Sequence, residues 1–234
     1  MSSKIPLLLI PGLLCTDELW RDQLQALSDV ADMTVPKHDQ HDAIEDIATD
    51  ILKNAPDQFA LAGLSMGGYI ALEIILRAPE RVSHLALMDT RADPDSPKDK
   101  KRRQDFINLV QRGSTFKGVT ESLLPMLIHP DRFKDTALTS RIYKMAQDIG
   151  REGFIRQETA IMNRKDRKPE LAQINCPTLV VSGNEDALIP APLQEEMAQM
   201  IPDAEFHIID NCGHLPTMER PMESNMLLRE WLTW

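Results

Sequence analysis

The chain has 234 residues and a net charge of −10, with 42% hydrophobic and 26% charged residues. These values are typical of a globular protein with one large core. The acidic balance argues against nucleic acid or an anionic membrane as a partner, because both favour a basic face. Three cysteines without a C-x-x-C pair, and no stretch resembling a signal peptide or a membrane span, predict a cytoplasmic protein.

Short apolar runs alternate with helical patterns through the first ninety residues. The apolar runs predict strands over residues 7–10, 31–35, 59–62 and 82–88. Apolar residues at helical spacing predict helices over residues 18–27, 44–52 and 66–77. The second helix is expected to begin after Asp42 as its N-cap. Such alternation is typical of a parallel sheet covered by helices on both faces.

The alternation stops at residue 91 and resumes at residue 169. A polar linker over residues 92–103, followed by helical spacing without a buried strand, predicts an inserted helical cap over residues 91–168. Strands and helices then follow over residues 178–182, 192–200, 204–209 and 221–232. Residues 1–90 and 169–234 are therefore expected to form one α/β core, a three-layer αβα sandwich with a mainly parallel sheet.

Ser65 lies between a predicted strand and a predicted helix, in a G-x-S-x-G pattern that runs from Gly63 to Gly67. In this context the pattern indicates a nucleophile elbow, a tight turn that exposes one hydroxyl. Such a turn needs a positive φ at the serine and small neighbours around it. The alternative is a glycine-rich turn with an incidental serine.

His214 is the predicted general base, because a serine hydroxyl is a weak nucleophile without one. Among the six histidines, His214 alone follows the nucleophile in the chain and directly follows a predicted strand. The carboxyl end of such a strand is where sites assemble in parallel sheets. The other histidines lie in polar loops, in strand patterns or before a proline: His38, His41, His84, His129 and His207.

Asp186 is the predicted orienting acid, since it follows the strand over residues 178–182 and gives the order Ser…Asp…His. Its role would be to fix the imidazole tautomer and to stabilise the imidazolium. Glu185, Asp89 and Asp210 are competing carboxylates, and a turn aspartate that bonds its own backbone is the structural alternative.

An oxyanion hole for this chemistry needs two backbone N–H groups near the serine. Met66 follows Ser65 and is expected to supply one. Leu13, in the loop over residues 11–15 after the first strand, is expected to supply the other. Cys15 in that loop is interpreted as a buried structural thiol. No metal or other cofactor is predicted.

With these residues in place, the chain resembles the α/β-hydrolase superfamily, specifically its compact bacterial esterase-like members with a helical cap. The resemblance is carried by residues 63–68, 183–190 and 213–216, and by Glu219-Arg220-Pro221 before the last helix. It implies a sheet trimmed to about six parallel strands. Many relatives have His-Gly in the oxyanion loop, where this chain has Pro11-Gly12.

The expected activity is that of a carboxylesterase acting on small or medium apolar esters through an acyl-enzyme. The same residues would also serve a thioesterase, lactonase, C–C hydrolase, acyltransferase or perhydrolase, and a ligand-binding receptor that keeps the fold is an alternative from another class. The oligomeric state is not predicted. Apolar cap side chains offer candidates for the pocket: Phe106, Phe116, Leu123, Leu124, Met126, Leu127, Phe133, Met145, Phe154 and Met162.

Overall fold

The computed structural model of the chain describes residues 4–113, 115–121 and 123–234. The first three residues of the predicted core and positions 114 and 122 of the predicted cap lie outside this description. The strands are β1 (Ile5–Ile10), β2 (Ala31–Thr34), β3 (Phe59–Leu64), β4 (Val82–Met88), β5 (Thr178–Gly183) and β6 (Glu205–Ile209). The α-helices are α1 (Arg21–Ala26), α2 (Ile44–Asn54), α3 (Met66–Arg77), α4 (Pro97–Arg112), α5 (Thr136–Asn163), α6 (Ala191–Gln199), α7 (Pro216–Glu219) and α8 (Pro221–Trp231). Short 3-10 turns occupy Asp17–Trp20, Pro79–Arg81, Leu124–Met126, Pro130–Arg132 and Lys168–Gln173.

All six strands pair in parallel, in the order β2-β1-β3-β4-β5-β6. The strand order reverses at β1, which lies between β2 and β3. The loops that follow β1 and β3 therefore lead to helices on opposite faces, and a crevice opens between them at the carboxyl edge of the sheet. The predicted six-stranded parallel sheet is confirmed.

Each face of the sheet carries its own apolar core. In β1, Leu7 and Leu9 belong to the core on the side of α1 and α8, whereas Leu8 and Ile10 belong to the core shared with α2, α3 and α6. This division follows from the period of two in a strand. Because both faces are covered, β1 and β3 at the centre of the sheet contain no polar side chain. The predicted three-layer αβα arrangement is confirmed.

Strands β1 and β3 are each two residues longer than predicted, and three predictions around helices are wrong. Helix α2 is capped by Ala43 rather than Asp42, with no side-chain cap bond. The helix predicted over residues 18–27 is divided into a 3-10 turn and α1. The predicted linker over residues 92–103 already contains the start of α4, where the Ser96 hydroxyl accepts from the Asp99 N–H and a proline occupies the first turn. The first turn of α4 is so rich in charged residues that it was interpreted as a linker, although it carries this capping signal.

The described part of the segment between β4 and β5 contains α4, α5 and short turns, and no strand. Helix α5 is interrupted at Gly150, whose φ is 70°. Buried residues of this segment, including Ile142 and Phe154, share one apolar cluster with Leu14 and Leu215 from loops of the core. The segment thus packs over the carboxyl edge of the sheet. None of the helices in the described ranges is both long and apolar enough to span a bilayer.

Candidate active site

Ser65 joins β3 directly to α3 and has φ 54° and ψ −116°. A residue with a Cβ is strained in this region, and such strain clusters at functional sites. The neighbouring chain leaves no room for larger residues: a Cβ on Gly67 would lie 2.1 Å from the Ile10 carbonyl oxygen, and one on Gly63 would lie 2.3 Å from the Gly67 oxygen. The positive φ and the small neighbours predicted for the elbow are confirmed.

A continuous chain of hydrogen bonds joins Ser65, His214 and Asp186. The Nε2 atom of His214 lies 2.8 Å from Ser65 Oγ, and its Nδ1 atom lies 2.8 Å from Asp186 Oδ2. The other oxygen of Asp186 accepts from the N–H groups of Leu188 and Ile189, at 2.8 and 3.0 Å. Asp186 and His214 are both buried, so they are held in one geometry away from bulk water.

The electrostatics around Asp186 favour its ionised form. Burial alone would raise the pKa of this carboxyl, but His214 and the Ile189 N–H outweigh burial, and the pKa is lowered. The competing Glu185 instead accepts from the Cys212 N–H at 3.0 Å. Asp210 is exposed. Among the four carboxylates considered, Asp186 alone bonds the imidazole.

Asp89, the fourth carboxylate, lies beside Asp186 at the end of β4. Its Oδ1 atom accepts from the Gly183 N–H at 2.9 Å, and its φ is 44°. Burial and the negative charge of Asp186 raise the pKa of Asp89 well above its ordinary value. We therefore expect a protonated, neutral Asp89 next to an ionised Asp186. One ligand atom from each of Asp89, Asp186 and His214 lies within 4.8 Å of the others, but a metal ion there would have to displace the His214–Asp186 hydrogen bond.

Asp89→Asn should stabilise the protein, and the gain should grow with pH. The raised pKa means that the folded state holds a proton that the unfolded chain releases above about pH 4. Stability contributed by the wild-type group is therefore lost as pH rises from that value towards the pKa of the folded state, whereas asparagine keeps its neutral form. Urea unfolding of both proteins from roughly pH 5 to 8.5 measures the difference. A stability difference that stays constant over this range would contradict a neutral Asp89.

The loop after β1 lies against the nucleophile. A Cβ on Gly12 would lie 3.3 Å from Ser65 Cβ. The Cys15 N–H donates to the Gly12 carbonyl at 3.1 Å, so residues 12–15 form a tight turn, which we call the oxyanion turn. Within the described residues, neither the Leu13 N–H nor the Met66 N–H has a hydrogen-bond acceptor. Leu13 and Ser65 line the same cavity, and Met66 directly follows Ser65, so the assignment of both N–H groups to an oxyanion hole remains a prediction.

Cys15 is buried, as predicted. Its Sγ atom lies 3.4 Å from the Leu13 carbonyl oxygen. Burial raises the pKa of this thiol to about 12, which keeps it protonated and unreactive.

Glu219 supports the loop that carries His214, a role that the sequence pattern did not reveal. Its carboxylate accepts from the N–H groups of Gly213 and Leu215 at 3.0 and 3.2 Å, on either side of His214, and from the His129 N–H at 2.6 Å. The side chain is 1% exposed. The Glu-Arg-Pro motif before the last helix was the only sequence signal that pointed to Glu219. A buried acid needs hydrogen-bond donors, and this requirement could have suggested its role.

A cavity of about 810 Å³ opens onto Ser65 and His214. Most of its lining is apolar and comes from the segment between β4 and β5 and from the oxyanion turn. The predicted pocket residues that line it are Phe106, Phe116, Leu123, Met126, Leu127, Met145 and Phe154. Leu124, Phe133 and Met162 are not part of the lining.

One side of the cavity is charged, close to the nucleophile. Tyr69, one helical turn after Ser65, contacts the Arg164 guanidinium, whose carbon lies 4.3 Å from the ring centroid. Arg164 pairs with Asp95 at 2.7 Å, and Arg103 pairs with Asp95 and, at 2.7 Å, with Glu158. Tyr69, Asp95, Arg103 and Glu158 line the cavity and form what we call the charged wall.

Comparisons with known proteins agree with this architecture. The model of a family described as the alpha/beta hydrolase family matches residues 7–224. A thermophilic esterase from Thermogutta terrifontis, solved with malate bound, superposes with a TM-score of 0.88 at 30% identity, over 99% of this chain and 90% of the other.

Two curated relatives have different named activities. A 2-hydroxy-6-oxononadienedioate/2-hydroxy-6-oxononatrienedioate hydrolase from Paraburkholderia phymatum is 27% identical over 80% of this chain and 68% of its own length. A pimeloyl-[acyl-carrier protein] methyl ester esterase from Nitrosomonas europaea is 23% identical over 77% of this chain and 73% of its own length. Similarity at this level spans ester and non-ester hydrolases.

Proposed function

The chain belongs to the alpha/beta hydrolase family, and from this premise we propose that it is a serine carboxylesterase acting through an acyl-enzyme. The observation that carries the proposal is the hydrogen-bonded chain Ser65–His214–Asp186 on the wall of an apolar cavity. A nucleophile within 2.8 Å of a base that is itself oriented by a carboxylate is the geometry of nucleophilic acyl transfer.

In the first half-reaction, Ser65 Oγ attacks the ester carbonyl carbon while His214 Nε2 takes the hydroxyl proton. The negative charge that develops on the carbonyl oxygen is stabilised by the N–H groups of Leu13 and Met66. The tetrahedral intermediate collapses, the C–O bond to the alcohol breaks, and His214 protonates the leaving alkoxide. Water then repeats the sequence on the acyl-enzyme and releases the acid. Asp186 stabilises the imidazolium in both halves.

The cavity indicates the class of ester. A volume of about 810 Å³ accommodates a molecule of small or medium size, and its apolar lining favours an apolar acyl or alcohol part. We assign residues 91–168 the role of a cap that shapes this cavity, since they contribute much of the lining. The similar esterases from Thermogutta and Nitrosomonas support the choice of an ester.

Purified protein should hydrolyse p-nitrophenyl esters, with a rate that rises from acetate to an intermediate chain length and falls for dodecanoate. Each added methylene gains about 1–3 kcal/mol in an apolar pocket until the pocket is full. Protein that reacts with a fluorophosphonate at Ser65 but turns over no ester would contradict the proposal and favour a ligand-binding receptor.

Carbon–carbon bond hydrolysis is the second candidate function. The relative from Paraburkholderia is named for a dioate substrate, which carries two carboxylates. Arg103 of the charged wall could bind such a group only by exchanging its pairing with Asp95 or Glu158 for the substrate carboxylate. Hydrolysis of a ring-fission dienedioate, measured beside that of the esters, distinguishes the two candidate functions. The substrate with the higher kcat/KM shows whether the site prefers a carbon–carbon bond or an ester bond.

We also assign the protein to the cytoplasm. All three cysteines are free thiols, and two of them, Cys15 and Cys212, are buried. Free thiols persist in a reducing compartment.

A further inference from the structure

The oxyanion turn has an unusual backbone at Leu14. Its φ is 60°, at the third position of a four-residue turn whose ends are joined by the Cys15 N–H and the Gly12 carbonyl. Glycine or asparagine is favoured where a turn needs a positive φ at this position, and leucine there is strained by about 1–3 kcal/mol. Such a conformation persists only where the surroundings hold it.

Gln157 from α5 holds this strained residue. Its Oε1 atom accepts from the Leu14 N–H at 3.0 Å, and the glutamine is 0% exposed. The bond fixes the plane of the Leu13–Leu14 peptide and occupies the Leu14 N–H. Leu13 is then the residue of this pair whose N–H remains free to face the reacting oxygen.

His38, from the loop between β2 and α2, joins the same group of atoms. Its Nε2 atom lies 3.0 Å from the Gly12 carbonyl oxygen and 3.0 Å from Gln157 Nε2. Burial lowers the pKa of His38, so the ring is neutral at physiological pH. A single ring nitrogen cannot donate and accept at once. His38 therefore bonds the turn in one tautomer and Gln157 in the other.

A second contact holds the loop that carries His38 against α5. The Nε atom of Arg156 donates to the Asp39 carbonyl at 2.7 Å, next to His38 in the chain. A Cβ on Gly153 would lie 3.5 Å from Asp39 Cβ, in ordinary van der Waals contact. The loop with His38, helix α5 and the oxyanion turn thus contact one another, although they are far apart in the sequence.

We propose that Gln157 and His38 are positioning residues that hold the oxyanion turn in its active shape, a pair of contacts that we call the clamp. The inference rests on the proposed acyl transfer at Ser65 and deepens it. The clamp supplies support for the turn from outside the loop over residues 11–15.

The test compares Gln157→Leu with a matched control, Gln23→Leu. Gln23 is also 0% exposed and donates to the Thr217 carbonyl and to Asn225, away from the oxyanion turn. Both variants lose a buried glutamine, so both should lower the melting temperature to a similar extent. Kinetics with p-nitrophenyl butyrate and inhibition by a trifluoromethyl ketone, whose adduct places an oxyanion in the hole, report the role of the turn.

For Gln157→Leu we expect kcat to fall about 10- to 100-fold while KM changes less than about threefold, since loss of a whole oxyanion donor costs about 10²–10³. Affinity for the trifluoromethyl ketone should fall by the same factor as kcat/KM. Gln157→Glu keeps an acceptor for the Leu14 N–H and should restore kcat to within about fivefold of wild type. His38→Leu should lose about 3- to 10-fold, because the Gln157–Leu14 bond remains.

Gln157→Leu with kcat and inhibitor affinity like those of Gln23→Leu would overturn the clamp and leave a purely structural role. If Gln157→Leu does not fold, Gln157→Glu and His38→Leu provide the test. The clamp is then overturned if His38→Leu binds the inhibitor as tightly as wild type and kcat of Gln157→Glu stays more than fivefold below wild type. Wild-type protein that neither hydrolyses esters nor reacts with a fluorophosphonate would instead contradict the proposed function itself, and the clamp with it.

Discussion

Ser65→Ala should lower kcat for ester hydrolysis by about 10⁴-fold or more, and His214→Ala should lower it by a similar factor. The two side chains perform one proton-coupled attack, so the Ser65→Ala/His214→Ala double variant should be no slower than either single variant. The residual rate would come from binding and from the N–H groups of the oxyanion hole. Initial rates with p-nitrophenyl butyrate at saturating substrate measure all three.

Ser224→Ala is the control for this series. Ser224 is a buried serine of α8 whose hydroxyl has no hydrogen-bond partner among the described residues. Its removal should leave kcat unchanged. Mass spectrometry after fluorophosphonate treatment should place the label on Ser65 in the wild type and find none in Ser65→Ala. Ester turnover by Ser65→Ala at more than a hundredth of the wild-type rate would exclude Ser65 as the nucleophile.

Asp186→Asn should lower kcat by about 10⁴-fold by enforcing the wrong imidazole tautomer. The N–H groups of Leu188 and Ile189 donate to Oδ1, so the amide oxygen of asparagine must take that position. Its NH₂ group then faces His214 Nδ1, which has to accept. The imidazole proton moves to Nε2, opposite Ser65 Oγ, and the ring can no longer act as a base. Nitrogen NMR of labelled histidine reports the tautomer directly.

Asp89→Asn is the matched comparison, since Asp89 is also a buried aspartate at the same sheet edge. A neutral Asp89 is mimicked by asparagine, whose oxygen can still accept from the Gly183 N–H. We expect kcat to stay within about threefold of wild type, as for an exchange that keeps the hydrogen bond. If Asp89→Asn were as slow as Asp186→Asn, the pair would act as a single acid and the assignment of Asp186 alone would fail.

The elements of the core were predictable because each has a local cause. The strand 82–88 and the helix 66–77 have in the structure the bounds that an apolar run and apolar residues at helical spacing predicted. Ser65, Asp186 and His214 each follow a strand in a short motif. Parallel topology brings such positions to one edge, so three local signals were sufficient to expect them together.

The residues that support the site were not predictable, because their contacts have no local cause in the sequence. Gln157 lies 143 residues from Leu14, and nothing near it in the sequence indicates a partner. Glu219 and Asp89 work through buried hydrogen bonds with backbone groups whose proximity only tertiary packing creates. The start of α4 was missed because charged residues in its first turn resemble a solvated linker.

The position of the proposed cap between β4 and β5 has a consequence for exchanging it between proteins. The Arg167 N–H donates to the Ala92 carbonyl at 2.9 Å, so the two ends of the segment are adjacent, and the chain leaves and re-enters the core at neighbouring points. A segment attached in this way can be lengthened, shortened or transplanted without breaking the sheet, which makes specificity modular. Gln157 limits that freedom because it belongs to the exchangeable segment and bonds Leu14 in the core. A chimera that receives a foreign cap would need a hydrogen-bond acceptor at the equivalent position to inherit the rate as well as the pocket.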